Sequence, residues 1–323
     1  MNKKLIIGLA LLLLVLAIGL MVRDMFMRNQ LSESNPYEYS LDHLQQYDSV
    51  PRCYTQMATF TPNMESIRAI CVDTEDHLLI AGGNQVLKVD DESHPLLSFS
   101  INGEAHCITV GNDQTIYVGT NDQVSAYQPT GKLKAIWPKI QGQPYLTSLA
   151  VTDSFVYVAD AGNKLVHQYN HQGKLLLEIG RKDTLRGIRG FFIPSPYFDL
   201  AIGREGELWV VNPGYHSLES YNSKGDLISS WTRTSMQIDG FSGCCNPSNI
   251  AILSDGSFVT SEKAMIRVKI HRPDGDFKCL VAGPELFDEG THGIDLAVDS
   301  KDRIYVMDPI RKVILIFASK VKE

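Results

Sequence analysis

The sequence has no run of basic residues beyond its first few positions, and 37 acidic against 30 basic side chains leave a formal net charge of -7. Nucleic-acid binding rests on clustered Lys and Arg that neutralise phosphates, so nothing here points to a nucleic-acid partner. G-x-S-x-G, H-E-x-x-H, a P-loop and a dinucleotide fingerprint are all missing. That removes the catalytic classes built on one short segment, though not an active site assembled from distant parts of the chain. C-x-x-C is absent too, so none of the 6 cysteines belongs to the usual dithiol redox motif. What remains is ordinary globular material, 44% hydrophobic and 21% charged.

One long apolar run is present. LIIGLALLLLVLAIGLMV, Leu5 to Val22, carries no charge. At 1.5 Å per residue it spans about 27 Å, close to a bilayer's hydrocarbon core. Lys3 and Lys4 favour a cytoplasmic N-terminus, which places the rest outside the cytoplasm. A cleaved signal peptide is the competing reading, but Ala17-Ile18-Gly19 is a poor cleavage site. Either reading exports the chain, where thiols are free to oxidise. We therefore expect a membrane anchor over 1–22, a juxtamembrane linker over 23–51 and one large domain over 52–323, extracytoplasmic and held by a single pass.

That domain is repetitive. IRAICVDTEDHLLIAG, HCITVGNDQTIYVGT, LTSLAVTDSFVYVAD, FDLAIGREGELWVVN, SNIAILSDGSFVTSE and GIDLAVDSKDRIYVMD each read as strand, polar turn, strand. Val72, Val110, Val151, Ile202, Ile252 and Val298 fall at the equivalent position, 38 to 51 residues apart, as propeller blades do. Third and fourth strands follow around TG, QG, KG and DG turns. Strands that are apolar on both faces suit blades packed between neighbours. The sixth copy stops after VILIFAS, so its fourth strand must come from elsewhere; Cys53–Thr61 (CYTQMATFT) is the candidate, closing the ring and removing an open edge.

DLAVDSKDRIYVMDPIRKVILIF and LAVTDSFVYVADAGNKLVHQYNHQGKLLLEIG resemble NHL repeats, over about residues 60–320. The resemblance implies an all-β, six-bladed β-propeller of NHL/TolB-like kind, here preceded by one N-terminal transmembrane helix. NHL propellers include RNA readers, protein-interaction platforms and the scaffold of an amidating lyase; the wider six-bladed class includes calcium-dependent lactonases. Ligands of this architecture bind at one mouth of the central channel.

Residues at the starts of the innermost strands are Ala69, Cys107, Ser148, Asp199, Asn249 and Asp295, and the loops between second and third strands add Asp160, Asn212, Glu262 and Asp308. Ser148, Asp199, Asn249, Asp295, Asn212 and Glu262 are the candidate ligand-binding residues of the mouth. The lactonase likeness implies Ca²⁺ on Asp199, Asn249 and Asp295, since hard cations take oxygen ligands. The alternative is that these side chains cap strand starts and turns. His106, His216 and His292 are a candidate Zn²⁺ set by likeness to the amidating lyase. Gly180–Leu200, with three arginines and several aromatics, is either a lid or docking surface or a filler between blades.

Cys244 and Cys245 lie side by side in FSGCCNPSNIAI, on the loop entering blade five. We expect a vicinal disulfide near the mouth; free thiols, other pairings, or a redox or thiolate-metal role are the alternatives. Cys53 and Cys279 fall on outer strands of neighbouring blades, which splay apart, so no bridge between them is expected. The function expected is a binding or protein-interaction module for a protein or small-molecule ligand. A metal-dependent hydrolase or lyase and an accessory factor of an envelope redox system are the alternatives.

Overall fold

The structure is a computed structural model that describes residues 3–30 and 49–320; residues 31–48 of the expected linker lie outside the described residues. The chain divides into two units, which are taken separately.

The first is one helix, Lys3–Gln30. Its stretch Ile7–Asp24 has a mean hydropathy of 2.3, long and apolar enough to cross a membrane. The helix runs eight residues beyond the expected boundary at Val22.

The second unit holds six four-stranded antiparallel sheets. The innermost strands are Ala69–Val72, Cys107–Val110, Leu146–Val151, Leu200–Ile202, Asn249–Ile252 and Asp295–Val298. Each ends on one of the six aliphatic positions picked out by the repeat. The second strands, such as Leu78–Gly82, Val156–Asp160, Leu208–Asn212 and Ile304–Asp308, are buried throughout, because each blade is covered on both faces by its neighbours. One hydrophobic cluster runs continuously from Ala150 and Tyr157 of blade three to Phe258 of blade five.

Five blades are built from consecutive strands. The sixth combines Asp295–Val298, Ile304–Asp308 and Val313–Ser319 with the N-terminal strand Tyr54–Phe60. That strand pairs antiparallel from Tyr54 opposite Ser319 to Phe60 opposite Ile314. The ring is therefore closed by the segment expected, and the edge of Val313–Ser319 is paired.

The tight turns between third and fourth strands also pack the blades together. Gly173 and Gly275 have φ of 78° and 85°, which glycine adopts without a Cβ penalty. A Cβ on Gly173 would lie 2.4 Å from Trp137, and one on Gly275 2.6 Å from Trp231, each an indole from the preceding blade. Gly275→Ala is thus expected to cost roughly 2 kcal/mol through left-handed strain and overpacking. Chemical denaturation would check this, and an unchanged midpoint would show that the indole moves freely aside.

One expectation is corrected. Cys53 and Cys279 form a disulfide, with Cα atoms 6.0 Å apart. Residues 51–53 run alongside the outer strand of blade five before the closing strand of blade six begins. Arg52 makes a parallel bridge to Leu280, and the Leu280 N–H donates to the Pro51 carbonyl at 2.9 Å. A bridge of this kind belongs with an oxidising compartment.

Candidate functional site

Every blade sends a side chain to one mouth of the central channel. Arg68, His106, Tyr145, Tyr197, Asn249 and His292, in blade order, line a cavity of about 240 Å³. Arg68, His106 and Tyr145 immediately precede the innermost strands of blades one to three. Arg68 donates to the Tyr145 hydroxyl, and the His106 ring packs 4.9 Å from that of Tyr145. Burial, with the Arg68 charge beside it, pulls the His106 imidazole below its usual range and keeps it neutral. The cavity floor includes Asp295.

Below it lies the channel proper, about 330 Å³, lined by the innermost strands and including Ser148, Asp199, Asp295, Cys71 and Cys107. Three of the expected residues here link successive blades. Leu200 N–H of blade four donates to Ser148 Oγ at 3.3 Å. Ile250 N–H of blade five donates to Asp199 Oδ2 at 2.7 Å. Ile70 N–H of blade one donates to Asp295 Oδ2 at 2.8 Å. Each carboxylate also accepts the N–H of the residue after it, from Leu200 and Leu296 at 2.9 Å. Asn249 spans the gap between blades five and six, its Nδ2 lying 3.4 Å from Asp295 Oδ1. Innermost strands leave N–H groups without a strand partner, and the neighbouring blade supplies the acceptor.

The cost is electrostatic. Burial pushes the Asp199 carboxyl well above the usual carboxylate range. Burial, and then the Asp199 charge, push Asp295 further in the same direction. Because these pKa values are raised on folding, the folded state keeps protons that the unfolded chain loses as pH rises above about 4. Stability should therefore fall between acidic and alkaline pH, and Asp295→Asn should flatten that slope. Thermal melts of both proteins from pH 5 to 9 would check it; parallel curves would show that the pair does not titrate there.

Asp199, Asn249 and Asp295 come together, but all four carboxylate oxygens already accept a backbone N–H. Ca²⁺ takes 6–8 oxygens, and a set used in this way suits strand capping better than a cation shell. Of the three histidines, His106 and His292 share the mouth, whereas His216 points its Nδ1 at the Phe241 carbonyl, 2.8 Å away. Among the described residues only Asp73, Glu75 and His77 bring three such ligand atoms together, on a turn of blade one. The three histidines are thus not assembled into a zinc site.

Asn212 and Glu262 do not line the mouth. Both are buried and hold the chain leading into their blades. Phe192 N–H donates to Asn212 Oδ1 at 2.9 Å, and Ser242 N–H to Glu262 Oε1 at 3.2 Å. Asp160 does the same for Tyr145 N–H at 3.0 Å, which sets the position of a mouth tyrosine. Asp308 instead holds Arg311.

The 180–200 segment fills space between blades, as one of its two expected readings had it, and also reaches the mouth. Phe191 and Phe198 are buried in the core, while Pro196 and Tyr197 form a wall of the mouth. Its arginines are paired, Arg181 to Glu178, Arg186 to Asp226 and Arg189 to Glu219. Cys71 and Cys107 are free thiols that burial pushes up, so they behave as small apolar groups.

No family model matches the chain, and no curated protein matches it in sequence. Solved structures do resemble it. Streptogramin B lyase is 10% identical with a TM-score of 0.59, over 83% of this chain and 98% of that one. A catalytically inactive histidine-to-alanine variant of virginiamycin B lyase from Staphylococcus aureus, with quinupristin, is 11% identical with a TM-score of 0.56, over 80% and 83%. The selenomethionine-substituted form of that lyase is 9% identical with a TM-score of 0.56, over 83% and 100%. At such identities the likeness shows the fold: this chain is an all-β, six-bladed propeller.

Proposed function

We propose that this chain is a membrane-tethered, extracytoplasmic propeller of NHL type that binds a small anionic molecule at the mouth of its channel. The supporting observation is the convergence of one side chain from each blade on a single cavity of about 240 Å³, a size for a small molecule or one peptide side chain. The half-exposed Arg68 guanidinium supplies the positive charge, and its Glu104 neighbour is 3.9 Å away and exposed. A carboxylate or phosphate oxygen meets Arg68 and the Tyr145 hydroxyl together. Burial pushes the Asp295 carboxyl on the floor up, which weakens the charge that would repel an anion. Tyr197 closes the side.

The test is a thermal-shift screen of the full chain in detergent against small carboxylates and phosphate esters. A ligand at a hundred times its Kd should stabilise by about 2.7 kcal/mol. Arg68→Ala should abolish that shift; a panel without hits, or hits that survive Arg68→Ala, would overturn the reading. Adding Ca²⁺ or a chelator should leave the melting temperature unchanged. For orientation, protease added outside cells with a permeabilised outer layer should degrade the propeller, and protection inside intact spheroplasts would reverse it.

A lyase reading is favoured by one observation, the neutral His106 at the mouth, whose buried Nδ1 has no partner among the described residues. A neutral imidazole is able to take a proton. If the chain is a lyase like its structural neighbours, quinupristin should be converted by the native protein and untouched by His106→Ala. The binding reading expects no conversion by either.

A further inference from the structure

Beside the mouth, and independent of any ligand there, Cys244 and Cys245 form a cluster with Lys263 and Ser195. The vicinal disulfide expected from the sequence is not formed in this structure: the two sulfurs are 2.9 Å apart as thiols. They differ in access: Cys244 is exposed and Cys245 is 2% exposed. Lys263 follows the second strand of blade five. Its Nζ donates to Ser195 Oγ at 2.8 Å and sits 4.8 Å over the Tyr197 ring, itself a wall of the mouth. The backbone holds this arrangement closed: Lys263 N–H donates to Asn246 Oδ1 at 2.9 Å, and Asn246 Nδ2 donates to the Ser242 carbonyl at 2.7 Å.

The electrostatics are lopsided in the same way. Burial pushes the Cys245 thiol up, but hydrogen bonding from Cys244, Ser195 and Lys263, with the Lys263 charge, outweighs it and holds the thiol below the usual range. Hydrogen bonding to Cys245 instead raises Cys244. A buried sulfur beside an ammonium is a poor attacker, because partners do not reach it. It is a good leaving group, since a sulfur of lower pKa departs faster.

We propose that Cys244 and Cys245 are a reversible dithiol–disulfide couple that oxidises a dithiol substrate, with Cys244 the sulfur attacked and Cys245 the leaving group. In the oxidised form the two sulfurs share a bond. A substrate thiolate attacks Cys244 Sγ, the S–S bond breaks, and its electron pair leaves on Cys245 beside Lys263 and Ser195. The substrate is then joined to Cys244 as a mixed disulfide. Its second thiol, as thiolate, attacks its own sulfur in that bond and expels Cys244 as thiolate. The substrate ends as a disulfide, having lost two electrons and two protons; the pair gains both. A disulfide-bearing oxidant running the same steps in reverse restores the couple.

The full chain in detergent tests this with defined thiols. After oxidised glutathione and alkylation, the tryptic peptide of residues 234–263 should be two hydrogens lighter than its dithiol form and carry no alkyl group; two alkyl groups would overturn the proposal. Cys245→Ser should capture one glutathione at residue 244, and Cys244→Ser none at residue 245; the opposite pattern overturns the assigned roles. Reduction of the oxidised pair by dithiothreitol at pH 7 should slow about tenfold in Lys263→Met and recover in Lys263→Arg. Equal rates in all three would remove Lys263 from the mechanism. The intact Cys53–Cys279 bridge, read from the same digests, shows that each variant is folded.

Discussion

Glu262→Gln is expected to lower the stability of the propeller by about 3–5 kcal/mol, the cost of stranding buried charge. Glu262, Arg267 and Lys269 are each no more than 1% exposed. One carboxylate serves two cations: Arg267 donates through Nε and through Nη2, the latter at 2.8 Å, and Lys269 Nζ lies 3.1 Å from Oε2. Burial already pulls the Lys269 ammonium down to about 8, even with Glu262 beside it. Neutralising Glu262 leaves both cations in low dielectric. The same cluster holds the loop before the cysteine pair, since Lys269 donates to the Gly240 carbonyl, Arg267 to the Gln237 carbonyl, and Glu262 accepts the Ser242 N–H. Denaturant unfolding of Glu262→Gln, with Lys269→Met added in the same background, measures it. The second substitution should recover part of the loss. A loss under 1 kcal/mol would mean that water reaches the cluster.

Replacing both Cys53 and Cys279 by alanine should cost up to about 5 kcal/mol, from the chain entropy of a very long loop. The bridge joins residues 226 apart, so it constrains nearly the whole propeller in the unfolded state. It also ties down the start of the closing strand, so its loss should expose Tyr54–Phe60 and Val313–Ser319 together. Unfolding midpoints with hydrogen exchange on those two strands would check both effects. Unchanged stability with both strands still protected would show that pairing alone closes the ring.

What was legible in the sequence follows from periodicity. Val72, Val110, Val151, Ile202, Ile252 and Val298 all end innermost strands, because each sits half-buried at the channel and packs against the core of its blade, which suits an aliphatic side chain in every copy. The closing strand was legible for a related reason: the sixth copy lacked a partner that Cys53–Thr61 supplied. The Cys53–Cys279 bridge was not legible, since it depends on where three non-repeating residues cross between blades. Asn212 and Glu262 show a second limit. Sequence identifies an oxygen at a loop position, but the direction of the side chain is set by unsatisfied N–H groups nearby, and theirs lay in the lead-in chain rather than the channel. Arg68 and Tyr145 were missed although a signal existed. They stand one residue before an innermost strand, as His106 does, and that register marks the mouth. Lys263 had no such mark; only the fold brings it to Ser195 and Cys245.

The proposed ligand sits where six blades converge. Hydrogen exchange of the full chain in detergent, with and without the tightest-binding member of the carboxylate and phosphate panel, tests it most directly. Added protection is expected in short segments around Arg68, His106, Tyr145, Tyr197, Asn249 and His292, one per blade, with outer strands unchanged. Protection confined to one blade or to the outer strands would contradict it.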